Sequence, residues 1–350
     1  MTRLSSLEQE IREQPDVLTR RRRDGQAAAT AAARLLTRPD VTHLVIAARG
    51  SSDNAARYAQ YLFGQILRLP AYLATPALFA GPRAPVLAGA AVLGISQSGQ
   101  SPDVVSVLTA AQDQRRPVIA ITNDADSPLA ASADVTVPLL TGPERSVAAT
   151  KTYTATLMAL AQLCAAAGGA GELQAGLDRL PDLMARVLDA ALADEPAAGL
   201  GDSRGAGRFL TAVGRGTGYS AAAETALKIR EIAGIRTEAF SLPDLMHGPV
   251  AANSAGSSLW VVASPSYPAS YWEQPIALLR SRGVSVTAVL PAAEGGISAD
   301  LPHRVPGAHP AWLFDLVAVG FGQVAALRLG ERYGANVDAP AGLSKVTMTR

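Results

Sequence analysis

Cysteine, paired histidines, charge of one sign and long apolar runs are all scarce in this chain. Cys164 is the one cysteine among 350 residues, which excludes a disulfide framework and a cysteine-rich zinc site. The four histidines (His43, His247, His303, His309) form no H-x-x-x-H or H-E-x-x-H pair, so no metal is expected. Lys and Arg number 31 against 30 Asp and Glu, and a net charge of +1 does not point to nucleic acid or an anionic membrane. The most apolar stretches, Ala155–Ala170 and Ala311–Gly330, are short or broken by Asp315, Gln323 and Arg328, so no membrane span is expected. The N-terminus is charged and has no apolar signal core. The expectation is a soluble, cytoplasmic α/β protein.

Hydrophobic residues are plentiful at 48% and charged ones few at 17%, which excludes intrinsic disorder. At roughly 150 residues per domain, the length predicts two domains. Ser5–Arg23 reads as a polar helical leader, with Arg20–Arg23 as a solvated face rather than a nucleic-acid tail. Short apolar strands are expected at His43–Ala48, Ala71–Ala74, Ala90–Ile95, Val118–Thr122 and Val135–Pro138. They alternate with helices at Asp53–Leu67, Pro102–Gln114 and Thr150–Ala167. That alternation predicts a parallel sheet covered on both faces. A linker region with a helix near Leu177–Ala193 precedes a second unit, which opens with strand Phe209–Val213.

The second unit repeats the first. Leu44–Ala56 reads LVIAARGSSDNAA and Leu210–Ala222 reads LTAVGRGTGYSAA. Ile95-Ser96-Gln97-Ser98 has a weak counterpart in Ala263-Ser264-Pro265-Ser266, where the proline removes a backbone N–H donor. One fold used twice, with unequal loops, is the expectation.

Three constellations could carry chemistry. At Ser96–Ser101 a buried strand ends in small and amide side chains around Gly99, and a helix starts at Pro102. Free helix N–H groups, serine hydroxyls and close backbone approach make a phosphate cradle without a lysine. Helix capping by Ser101 accounts for one serine only. The Arg49-Gly50-Ser51-Ser52 turn has the same architecture and could hold the sugar end of the same ligand, or be an ordinary strand–helix turn. On a helix over Tyr219–Ala233, Glu224, Lys228 and Glu231 share one face, with His247 nearby in sequence. Spacing alone reads as a solvated salt bridge beside a structural histidine. Lys345 lies in the polar tail Ala335–Arg350, near Leu343, Val346 and Met348, and could dock or fray.

Taken together, these residues resemble the double sugar-isomerase (SIS) domain proteins, and most closely the isomerase half of glucosamine-6-phosphate synthase. Glu10–Pro15 is similar to its E-I-x-E-Q-P segment, Ser96–Gly99 to its S-Q-S-G loop and Val147–Lys151 to V-A-S-T-K. Glu224–Glu231 resembles E-G-A-L-K-L-K-E, Leu245–Pro249 resembles L-K-H-G-P, and Asp338–Thr347 resembles the closing D-x-P-R-N-L-A-K-S-V-T tail. The resemblance implies two tandem flavodoxin-like SIS domains, each a three-layer αβα fold on a parallel sheet. They would span 36–170 and 206–334, with a helical leader (1–35), a linker region (171–205) and an active-site tail (335–350).

It also implies roles. Ser96, Gln97, Ser98 and Ser101 would hold a 6-phosphate, while Ser51, Ser52, Val147 and Ala149 line the sugar. Glu231 would move a proton between C1 and C2, and Lys345 would form a Schiff base, its amine activated by apolar neighbours. Lys228 and Glu224 would orient and tune the group. His247 would reach from a neighbouring subunit to assist ring opening, so a homodimer is expected; no cofactor is. The pattern is broken by Ala149 in place of Ser, by Ala341-Gly342 in place of Arg-Asn, and by Pro243–Met246 in place of G-E-L-K. A glutaminase half is expected to be missing, since no N-terminal cysteine is present and Cys164 lies in an apolar helix. The implied function is an aminosugar-6-phosphate isomerase or deaminase acting on glucosamine 6-phosphate. Elimination at C3 of an N-acetylated aminosugar phosphate, and non-catalytic sugar-phosphate-binding regulation, stay open as alternatives.

Overall fold

The computed structural model describes residues 4–81, 83–200, 209–292, 297–307 and 309–345. In chain order the elements are α1 (Ser6–Arg12), α2 (Gln14–Asp24), α3 (Gln26–Leu36), β1 (His43–Ala48), α4 (Ser51–Ile66), β2 (Ala71–Leu73), β3 (Ala90–Ile95) and α5 (Pro102–Asp113). There follow β4 (Val118–Thr122), α6 (Pro128–Ala131), β5 (Val135–Pro138), α7 (Lys151–Ala166), α8 (Ala170–Asp194), β6 (Leu210–Gly214), α9 (Thr217–Ala233) and β7 (Thr237–Ser241). The last are α10 (Leu242–Met246), β8 (Ser258–Val262), α11 (Ala269–Ser281), β9 (Ser285–Pro291), β10 (Leu301–Val305) and α12 (Ala311–Arg332).

The chain divides into two compact units. One comprises residues 14–144, 151–181 and 344–350; the other comprises 1–13, 145–150 and 182–343. Each holds a five-stranded, all-parallel sheet. The strand orders are β2-β1-β3-β4-β5 and β7-β6-β8-β9-β10. Numbered within its own unit, each order is 2-1-3-4-5, the flavodoxin-like arrangement.

In the β1–β5 unit, the apolar runs explain the sheet. Every residue of β3 (AAVLGI) and β4 (VIAIT) is buried, so both faces are covered. Ala90 and Val92 pack with Val104, Val107 and Leu108 of α5, and the alternating Ala91, Leu93 and Ile95 point to the opposite face. Burial pushes the Cys164 thiol in α7 up to about 12, so it is a packed side chain rather than a nucleophile.

In the arginine run of α2, Arg20, Arg22 and Arg23 are exposed, as a solvated face requires, and Arg21 is the exception. Arg21 is fully buried and donates to the Pro138 carbonyl. Burial pulls its guanidinium down to about 10. Arg20 donates to the Leu140 carbonyl at 3.0 Å and Arg22 to the Asp178 carbonyl at 3.0 Å. These arginines satisfy backbone carbonyls at the ends of other elements and fasten α2 to its own unit. Arg23 pairs with Asp24 at the surface.

In the β6–β10 unit, β6 and β8 are buried throughout, and α12 packs along α9. By length and composition α12 could cross a membrane, with a mean hydropathy of 1.4, but 94% of that window is buried inside the protein. It is a core helix. Gly322 permits close contact: a Cβ there would lie 2.0 Å from Thr225 Oγ1 of α9.

The same unit fastens the start and the tail of the chain. The Asp338 carboxylate accepts from Ser6 N at 3.1 Å and Leu7 N at 2.8 Å, at the N-terminus of α1, where free N–H groups favour an anion. Its carbonyl accepts from Val147 N at 3.0 Å. The Glu10 carboxylate accepts from Ser146 N at 3.2 Å and from Arg145 N.

Candidate functional site

The strand order puts a crevice at the carboxyl ends of β1 and β3, where chain connections leave in opposite directions. Two loops meet there. One follows β1 and holds Gly50, Ser51 and Ser52; the other follows β3 and holds Ser96–Ser101. Their strands are neighbours in register, with Ala48 opposite Ile95. Arg49 Nε donates to Asp103 Oδ2 at 2.6 Å and ties one loop to the other.

The Ser96–Ser101 loop is built by its own backbone. Gly99 N donates to Ser96 Oγ at 3.1 Å, and Gln100 N to Ser98 Oγ at 3.3 Å. Asn123 N donates to the Gln97 carbonyl at 3.1 Å, and Leu129 N to that of Gly99 at 3.1 Å. Gly99 has φ +63°, and a Cβ there would sit 2.1 Å from Ser127 Oγ, so only glycine fits.

The side chains left over matter most. Ser101 occupies the N-cap position before Pro102, yet its hydroxyl makes no capping bond; it lies 3.5 Å from Ser96 Oγ. The capping reading of Ser101 is therefore corrected: Val104 N, at the third helical position, donates to Asp103 Oδ1, and the Ser101 hydroxyl lies toward Ser96 instead. Among the described residues, the Ser51 and Ser52 hydroxyls and the Gln97 amide have no hydrogen-bond partner, and all three side chains are half-buried. Unspent donors beside the N-termini of α4 and α5 are what an anionic, hydroxylated ligand needs. A separate groove of about 820 Å³ runs along α5, between Thr109 and Phe79. It touches Gln100 and Pro102 but none of the six residues expected to bind ligand in these loops.

Lys345 also belongs to the β1–β5 unit. The sequence reading gave its amine apolar neighbours; instead Nζ donates to Glu144 Oε2 at 2.8 Å. The Glu144 side chain is fully buried, and it also accepts from Thr152 N at 3.1 Å and Thr152 Oγ1 at 2.7 Å, in the first turn of α7. Val346 and Met348, the other expected neighbours, lie outside the described residues. Glu144 was missed in the sequence, because nothing local marks a partner for Lys345 so far along the chain.

In the β6–β10 unit, α9 carries the second constellation. The reading of a solvated salt bridge is overturned: the side chains of Glu224 and Lys228 are 0% and 1% exposed. Spacing puts them on one face but cannot tell which face, and here it is the buried one. Lys228 Nζ lies 3.5 Å from Glu224 Oε1 and donates to Glu231 Oε2. Glu231 keeps 25% of its side chain exposed. A buried ammonium thus fixes a carboxylate that still reaches outward. His247 caps α10 through its backbone, and its side chain is exposed. Val147 and Ala149 are half-buried in the same unit.

The counterpart of the two-loop crevice, at the ends of β6 and β8, is closed by the chain itself. Asp315 of α12, wholly buried, accepts from Thr217 Oγ1 at 2.5 Å and Ser264 Oγ at 2.8 Å. Burial pushes its carboxyl up to about 7, against the pull of these two hydroxyls. Arg215, the counterpart of Arg49, stacks over Tyr267, with 5.7 Å from guanidinium carbon to ring centre. In sequence, Asp315 stood out only as a break in an apolar helix.

Residues 39–166 match the SIS domain family. The chain is 32% identical over 279 residues to the isomerising glutamine–fructose-6-phosphate aminotransferase of Agrobacterium fabrum, a match spanning 73% of this chain and 44% of that protein. It spans about half the length of the curated relatives it matches. A solved structure from Silicibacter pomeroyi, provisionally named a phosphosugar isomerase, superimposes with a TM-score of 0.83 at 26% identity, covering 96% of this chain and 99% of that one. The C-terminal domain of glucosamine–fructose-6-phosphate aminotransferase from Francisella tularensis shares the fold, with a TM-score of 0.82 at 21% identity over 97% and 99% of the two chains.

Proposed function

Starting from residues 39–166 as a SIS domain, we propose that this chain is an aminosugar-6-phosphate isomerase and deaminase, converting glucosamine 6-phosphate and water into fructose 6-phosphate and ammonia. The carrying observation is the Lys228–Glu231 pair, a half-open carboxylate fixed by a buried ammonium. Such a group suits a general base that must move one proton and return it to the adjacent carbon.

The steps follow from the chemistry of a 2-amino aldose. Ring opening exposes the C1 aldehyde, whose pull makes the C2 hydrogen acidic. Glu231 takes that proton and returns it to C1, which leaves an imine at C2. Ammonia then departs from that carbon, and water finally supplies the ketone oxygen. The 6-phosphate lies on Ser96, Gln97, Ser98 and Ser101, and Ser51 and Ser52 hold the sugar, with Val147 and Ala149 as further lining. Lys345 acts at C2: its amine adds to the imine carbon as ammonia leaves, and water hydrolyses the resulting C2 iminium to the ketone and frees the lysine. Glu224 tunes Lys228. His247, exposed on its own chain, serves ring opening in a second copy, so the working form is a homodimer.

One second reading draws on sequence departures. Ala149 and Ala341-Gly342 replace larger polar residues of the resembling pattern. With an acetylated nitrogen, the same proton abstraction ends in loss of the C3 oxygen rather than ammonia. A panel of aminosugar 6-phosphates, with and without N-acetylation and read by mass spectrometry, separates the two. Ammonia and fructose 6-phosphate from the free amine support the deaminase. A dehydrated product from the acetylated sugar alone replaces it with the lyase, and binding without turnover replaces both with a regulator.

A further inference from the structure

We propose that Glu144 is the proton carrier for Lys345. The proposal rests on the reading of Lys345 as the Schiff-base lysine and adds the group that lets it act. A lysine ammonium has no lone pair, so it must lose a proton before it can attack a carbonyl. The carbinolamine that forms must then lose its oxygen as water, which needs a proton donor. Both steps need one acid–base group within hydrogen-bond reach of Nζ.

Glu144 meets that requirement by geometry. Its Oε2 lies 2.8 Å from Lys345 Nζ. The carboxylate is fully buried and held by Thr152 N at Oε1 and by Thr152 Oγ1 at Oε2, the oxygen that also meets the lysine, so its position does not depend on Lys345 alone. Thr152 lies in the first turn of α7, where the helix dipole favours a carboxylate. Lys345 arrives from the tail and keeps 26% of its side chain exposed. A fixed carboxylate thus faces the amine of a partly exposed lysine.

The step balances. Glu144 takes a proton from the Lys345 ammonium, and the freed lone pair attacks the carbonyl carbon of the open-chain sugar. The carbonyl π electrons move onto oxygen, which takes the proton from Glu144. The new ammonium at nitrogen returns a proton to Glu144, which passes it to the hydroxyl. Water leaves, the nitrogen lone pair closes the C=N bond, and Glu144 ends as the carboxylate it began as.

The test is borohydride trapping with fructose 6-phosphate across pH 6 to 9, with the adduct located by peptide mass spectrometry. In the wild type an adduct forms on Lys345. In Glu144→Gln, which keeps an oxygen for Thr152, trapping at pH 7 slows by about 100-fold, the ordinary worth of a general base, and climbs steeply as hydroxide takes over. Glu144→Asp keeps the wild-type pH profile at a lower rate, and it serves if the glutamine variant does not fold. A wild type that traps nothing on Lys345 overturns the Schiff-base reading and this proposal together. A wild type that traps normally, beside variants whose pH profiles match it, overturns the role of Glu144 alone.

Discussion

Arg49 Nε and Asp103 Oδ2 stand 2.6 Å apart, and that ion pair joins the loop after β1 to the first turn of α5. Asp103 is 7% exposed while Arg49 is half-exposed, so the arginine is the removable partner. In Arg49→Met the carboxylate loses its cation while the aliphatic stem keeps its packing. The expected loss is about 1.5–3 kcal/mol of stability, the scale of a hydrogen bond to a charged group. Affinity for a sugar phosphate falls with it, because the two loops no longer hold a common geometry. Urea unfolding and calorimetric titration with fructose 6-phosphate check both; an unchanged affinity would mean that the loops act independently.

Gly99 is the tightest point of the phosphate loop. Gly99→Ala puts a methyl group 2.1 Å from Ser127 Oγ at a left-handed φ. The left-handed cost alone is about 1–2 kcal/mol, and the overlap adds to it. The expected outcome is a folded but less stable protein without measurable sugar-phosphate binding. Retained binding would separate this loop from the phosphate.

Glu231→Gln tests the proton-transfer step. The amide keeps a hydrogen-bonding oxygen for Lys228 but cannot accept a proton. Turnover of glucosamine 6-phosphate should fall by at least ~100-fold with binding largely kept. Lys228→Met should be harsher on folding, since it leaves Glu224 buried without its cation. Turnover unchanged in Glu231→Gln removes that residue from the mechanism.

Asp315 makes a prediction about pH. Its folded carboxyl titrates at about 7, against an ordinary value of 3.8. Below about pH 4 it is protonated in both states and contributes no pH dependence. Between there and about 7 the unfolded chain loses the proton while the folded chain keeps it, so this group lowers stability as pH rises. Asp315→Asn removes that slope. The variant's urea midpoint should gain on the wild type between pH 5 and pH 8. A constant gap across that range would show that Asp315 stays ionised when buried.

The sheets were legible in the sequence because parallel strands buried on both faces leave continuous apolar runs with polar ends. His43–Ala48, Ala90–Ile95 and Val118–Thr122 fall at the expected boundaries for that reason. What was not legible depends on which way a face turns. Glu224, Lys228 and Glu231 were placed on one stripe, but only packing against the rest of the unit decides that the stripe is buried. Arg21 looked like one of four solvated charges until Pro138 supplied its acceptor. Glu144 and Asp315 were silent for a related reason. A carboxylate gains its meaning from donors that the fold brings to it, and Thr152, Lys345, Thr217 and Ser264 carry no mark of that in the sequence.

Asp315 also carries an expectation about stoichiometry. A chain with two sheets of the same strand order, each ending in a pair of serine- or threonine-bearing loops, would be expected to take two guests. In the β6–β10 unit an acid of the chain's own already receives the hydroxyls that a visiting anion would need. Saturation should therefore come at one equivalent of sugar phosphate per chain, and a calorimetric titration that finds two would show that Asp315 yields its place to a ligand.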